Sequence, residues 1–93
     1  LRARPGSTLV LDLRAPARRD AEPLAGAEPI DLAELRAHRD RLRRARHVVF
    51  VSEHGREGYL AARAAAHLGC RDAGYLSGGL AAWREAGHGA SLG

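Results

Sequence analysis

The sequence predicts one small α/β domain: a central parallel sheet flanked by helices in three layers. Three observations carry this reading. Two short, nearly continuous apolar runs, residues 9–13 and 48–51, read as strands buried on both faces, as strands of a parallel sheet are. Two longer stretches, residues 32–44 and 58–68, place apolar side chains at helical spacing. Glycine and proline punctuate the joints between them. Strands that alternate with helices favour a parallel arrangement with helices on both faces.

Length and composition bound the rest. The chain has 93 residues, room for one domain, with 45% hydrophobic and only 4% aromatic content. Such a core is built largely from Ala and Leu and needs close packing. The 15 basic residues are all Arg; against 11 acids they give a net charge of +4. Exclusive Arg use beside abundant Ala, Gly and Leu points to codon bias, so the high pI is weak support for nucleic-acid binding. A single Cys forms no internal disulfide and fits a reducing, cytoplasmic setting. No run approaches the ~18 apolar residues that span a membrane, and no signal peptide is visible. The chain begins at Leu1 and contains no Met, which leads us to expect a piece of a longer protein.

Residues 1–8 read as a lead-in with a turn cluster at Pro5-Gly6-Ser7, residues 9–87 as the domain, and residues 88–93 as a tail. Asp12 interrupts the first apolar run. A carboxylate there needs a partner, and Arg14 is the nearest candidate. Residues 15–28 allow one helical turn around 17–21, because Pro23 and Gly26 prevent more. Pro29 and Ile30 form a brief extended segment. Asp31 then caps a helix over 32–44, with Glu34 completing a capping box and Leu32, Leu35 and Leu42 as its apolar stripe. Its arginines, Arg36 through Arg46, read as a solvated face, since no aromatic residues interleave for base stacking.

The second strand runs into a polar loop, Ser52-Glu53-His54-Gly55-Arg56-Glu57. The helix over 58–68 follows, with Leu60, Ala61, Ala64, Ala65 and Leu68 on one face and Gly69 as its stop. A strand–loop–helix junction gathers loop amides and a helix N-terminus at one spot, where chemistry collects in α/β proteins. Cys70 comes next. It enters the last strand, residues 73–76, from the amino end, away from that junction, and reads as a small structural residue. Ser77-Gly78-Gly79 opens a final helix over 80–86, anchored by Leu80 and Trp83.

These features together resemble the rhodanese-like domain family. The match rests on Leu11-Asp12-Leu13-Arg14, on Gly26-Ala27 with Ile30, on the 48–68 strand, loop and helix, and on Leu76-Ser77-Gly78-Gly79-Leu80-Ala81-Ala82-Trp83. Gly58-Tyr59-Leu60-Ala61 and the Leu-Ser-Gly-Gly turn look like the rhodanese domains appended to coenzyme A disulfide reductases. The resemblance implies a three-layer fold with its active site on the loop 52–57. There a cysteine takes up sulfane sulfur as a persulfide, and loop amides, often with a closing Arg, cradle an anion.

This chain departs from the pattern. Ser52 stands where the family's cysteine falls, and Glu57 where the closing Arg is usual. The family's His before the Gly-Ala segment is lost at Pro23-Leu24, and its first small strand and helix are missing or reduced to residues 1–4. A serine hydroxyl does not carry sulfane sulfur. It could act as a nucleophile with His54 as base, but neighbours on a tight loop point apart and no buried Asp is placed to orient His54. Ser52, Glu53, His54 and Glu57 lack a diagnostic metal-ligand spacing, so no metal or cofactor is expected. Glu53 and Glu57 are also expected to repel thiosulfate, phosphate or a persulfide from the helix N-terminus. The expected function is therefore a catalytically inactive rhodanese-like module with a binding or regulatory role toward a protein partner or adjoining domain, without membrane or nucleic acid. The alternative is an active thiosulfate or persulfide sulfurtransferase using a displaced or mutated cysteine.

Overall fold

The two apolar runs become neighbouring central strands. In the computed structural model, which describes residues 8–87, β1 (Thr8–Asp12) runs parallel to β3 (His47–Val51), with Val10 opposite Val49 and Asp12 opposite Val51. β2 (Ala27–Pro29) flanks β1 and β4 (Ala73–Tyr75) flanks β3. All pairings are parallel, in the order β2-β1-β3-β4. The carboxyl ends of β1 and β3 therefore lie side by side, which brings Asp12 and Arg14 next to the loop after Val51.

Alternation along the strands divides the core in two. Leu11, Val48 and Phe50 meet Leu35, Leu42, Ala61 and Ala65 on one face. Val10 and Val51 meet Leu24 and Leu80 on the other, with Trp83 packed against them. Helical structure therefore covers both faces, as three layers require. Phe50, Leu11, Leu42 and Leu80 are fully buried, each contributing about 1.5–3 kcal/mol relative to exposure.

The helices form for local reasons. Pro16 opens α1 (Pro16–Ala21), where its fixed φ suits the first helical position. α3 (Arg56–His67) lies close to the sheet because its inner face is small: Gly58, Ala61, Ala62 and Ala65 are buried. A Cβ at Gly58 would meet the Phe50 carbonyl oxygen at 3.2 Å. Gly69, at φ +98°, ends α3: its N–H donates to the Ala66 carbonyl at 3.1 Å and the Cys70 N–H to the Ala65 carbonyl at 3.0 Å, a closed Schellman turn. α4 (Gly79–Glu85) covers the second face.

Several expectations are corrected. The helix over 32–44 is two pieces, a 3₁₀ segment Leu32–His38 and α2 (Arg39–Arg44), broken at His38, whose φ of −100° and ψ of 12° leave the helical region. Glu34 does cap this segment, accepting the Asp31 N–H at 3.2 Å. Leu32 and Leu60, both assigned to buried stripes, are 40% and 41% exposed. The inner face of α3 is rotated toward Gly58 and Ala62, because the smallest residues, not the largest, fit nearest the sheet. α3 also begins at Arg56, so Arg56 and Glu57 belong to its first turn. The extended segment is Ala27–Pro29, two residues earlier than Pro29-Ile30 implied, and Leu76 lies just beyond β4. Thr8 already pairs with His47. The Pro5-Gly6-Ser7 turn, residues 1–4 and the 88–93 tail lie outside the described residues.

Candidate functional site

The chain leaves β3 at Val51 and turns into α3 within four residues. Such a turn needs a left-handed residue, and Gly55 supplies it at φ +94° as the helix N-cap. Gly55 has no side chain to satisfy the first helical amides. Ser52 does so instead: its Oγ accepts the Gly55 N–H at 3.0 Å and the Gly58 N–H at 3.2 Å. Ser52 is 3% exposed. Its hydroxyl therefore acts as a displaced N-cap, at the point where loop amides converge. No hydrogen bond joins it to His54 among the described residues, and His54 is exposed. The pair does not form a nucleophile and base.

The loop is fixed from the far side by the Gly-Gly turn. Leu80 N–H donates to the Ser52 carbonyl at 2.9 Å and Ala81 N–H to the Glu53 carbonyl at 3.0 Å. Gly79, at φ +68°, makes this approach possible, since a Cβ there would lie 2.4 Å from the Glu53 carbonyl oxygen.

Asp12 and Arg14 form the buried wall. The Arg14 guanidinium grips the Asp12 carboxylate with Nε at 3.1 Å and Nη2 at 2.9 Å, and the Arg14 N–H donates to the same carboxylate at 3.0 Å. Nη2 also donates to the Glu22 carbonyl at 2.9 Å. Both side chains are almost fully buried, so removing one partner would strand the other charge, a loss of about 3–5 kcal/mol. The carboxylate inside β1 thus has the partner that the sequence suggested.

Charge at the loop differs from the expectation. Glu53 does not face the helix N-terminus as an uncompensated anion. Arg84 of α4 donates from Nη1 to Glu53 Oε1 at 2.6 Å and from Nε to Glu22 Oε1 at 2.9 Å. These hydrogen bonds hold both carboxyls below the usual carboxylate range. Arg84 and Glu22 had no part in the sequence reading, and nothing local could pair residues 62 positions apart. Glu57 sits in the first turn of α3, where it complements the helix dipole.

Above the loop lies a cleft of about 310 Å³, lined by Arg14, Arg18, Arg56, Glu53, His54 and Glu57, with Ser52 at its base. Arg18 and Ala15 also line it and were not singled out by the sequence. Arg18 and Arg56 make no ion pair among the described residues. With Glu53 engaged by Arg84, the cleft offers more positive than negative charge, and the expected repulsion of anions is reduced to Glu57. All six loop positions, with Asp12 and Arg14, are thus brought together at the carboxyl end of the two central strands. Cys70 is not: it precedes the amino end of β4, and burial pushes its thiol up. Among the described residues no three His, Cys, Asp or Glu side chains gather as a metal site, and no helix is long and apolar enough to cross a membrane.

A family model described as "Rhodanese-like domain" matches residues 1–86. No curated protein matches the chain. Among solved structures, a rhodanese-related protein from Thermoplasma volcanium is 27% identical, with a TM-score of 0.73 over 88% of this chain and 81% of that one. The rhodanese-like domain of the Alr3790 protein from Anabaena sp. is 21% identical and superposes with a TM-score of 0.76 over 96% of this chain and 85% of that one. CoADR-RHD from Bacillus anthracis is 25% identical, with a TM-score of 0.67; the match covers 81% of this chain and 13% of that one.

Proposed function

The chain belongs to the rhodanese-like domain family, and from that premise we propose that it is a binding or regulatory module that keeps the scaffold without transferring sulfur. One observation carries the proposal. The side chain on which the loop amides converge is a hydroxyl, Ser52 Oγ, engaged by Gly55 and Gly58. Sulfane sulfur is carried by a thiolate that attacks the donor sulfur. A hydroxyl has neither the polarizability nor the accessible ionisation to do this near neutral pH. Cys70 is buried before the amino end of β4, away from the loop, and burial pushes its thiol up, against thiolate formation.

The cleft still has a chemistry of recognition. Arg18 and Arg56 would attract an anionic group, and Ser52 would leave it unaltered. The module would act in the cytoplasm as part of a larger protein, serving a protein partner or an adjoining domain, one that handles sulfur or thiols among the candidates. The match to CoADR-RHD, which spans a small share of that chain, supports such an arrangement.

The test is a sulfurtransfer assay with thiosulfate or a persulfide as donor and cyanide or a thiol as acceptor. The proposal expects rates at the buffer background for the natural chain and for Cys70→Ser alike. Turnover that survives Cys70→Ser would overturn it.

A further inference from the structure

Away from the loop cleft, the 3₁₀ segment Leu32–His38 and α3 leave a groove of about 500 Å³ between them. Leu32 stands on one wall and Leu60 on the other, 40% and 41% exposed. The described residues expose four large apolar side chains, and two of them line this one groove. Leu68 lines it more deeply. Arg36 and His67 contribute from opposite walls, and no carboxylate is among the lining residues. Arg43, outside the lining, donates from Nε to the carbonyl of the lining residue Leu68 at 2.7 Å. The two acids adjacent to the lining in sequence, Asp31 and Glu34, are engaged with each other's backbone amides in the capping box.

We propose that this groove is a docking surface for a protein segment whose apolar side chains are bracketed by carboxylates. Clustered aliphatic exposure rimmed by charge marks an interaction site more often than scattered leucines do. The groove between two helical walls suits apolar anchors spaced along a helix. The rim chemistry chooses among partners. A second copy of this chain would bring the Arg36 guanidinium of one groove against that of the other with no carboxylate in the lining to offset them, since a two-fold contact pairs a patch with itself. Nucleic acid would find cations but no aromatic platform, only leucine and alanine. An acidic, leucine-bearing segment satisfies both the apolar walls and the positive rim. This surface is separate from the loop cleft, so the inference stands or falls independently of sulfur transfer.

Selection of random peptides displayed against the full chain tests it. The expected result is enrichment of Leu, Ile or Phe flanked by Asp or Glu. Selected peptides should lose affinity at least about tenfold on Leu60→Gln and on Arg36→Glu, and weaken with salt. Leu60 and Arg36 are exposed, and both variants should keep the wild-type circular dichroism and sulfurtransfer background. Recovery of no binders, of peptides without acidic enrichment, or of peptides indifferent to both variants would overturn the inference. So would concentration-dependent self-association abolished by Leu60→Gln, or nucleic acid competing for the groove.

Discussion

Arg84 Nη1 lies 2.6 Å from Glu53 Oε1, joining the last helix to the loop after β3. The same guanidinium binds Glu22 beyond α1, so one side chain ties together three segments around the cleft. Arg84 and both carboxylates remain partly accessible to water, so solvent screening moderates the energy of this network.

The network predicts an acid limb in stability. Both carboxyls are held below their ordinary value of 4.5, chiefly by hydrogen bonds from Arg84. Their contribution is present above the unfolded value and is lost as pH falls through the lower folded values. Urea midpoints should therefore drop as the solution is acidified below about pH 4.5, and Arg84→Gln should lower the neutral-pH midpoint and flatten that drop. An unchanged acid limb in Arg84→Gln would show that these pairs do not contribute.

Ser52 should matter for folding even without catalysis. Ser52→Ala leaves the buried Gly55 and Gly58 amides without their acceptor, at a cost of about 1–3 kcal/mol in denaturant unfolding. Ser52→Cys keeps an acceptor, though a weaker one, and should lose less.

Two left-handed glycines should respond differently to alanine. Gly26, at φ +84°, has nothing within 4 Å of a built Cβ, so Gly26→Ala should cost only the backbone term of about 1–2 kcal/mol. Gly79→Ala adds a collision with the Glu53 carbonyl, and its loss should be clearly larger. Thermal melts of the two variants provide the comparison.

The architecture was legible because it rests on patterns that repeat locally. The runs ending in Leu13 and Val51 announce buried strands, and Gly69 and Gly79 announce turns. Asp12 and Arg14, two residues apart, could be paired from the sequence because a strand end brings them together. The rest depended on three-dimensional fit. Leu60 was placed inside α3 by hydrophobicity, yet the sheet accepts only Gly and Ala at that approach. The charge of Glu53 looked uncompensated because its partner, Arg84, arrives from the opposite end of the chain. Helical periodicity over 32–44 did not reveal the break at His38, since no proline or glycine marks it. The displaced-cap role of Ser52 was equally hidden: its identity was readable, but not the two amides that it holds.

The most direct measurement is intact mass after incubation with thiosulfate or a small-molecule persulfide, for the natural chain, Cys70→Ser and Ser52→Cys. If residue 52 is the missing element in an otherwise assembled loop, the natural chain and Cys70→Ser keep their mass, while Ser52→Cys gains one sulfur atom. A cyanide-labile sulfur on the natural chain would contradict this account, whether or not Cys70→Ser removed it.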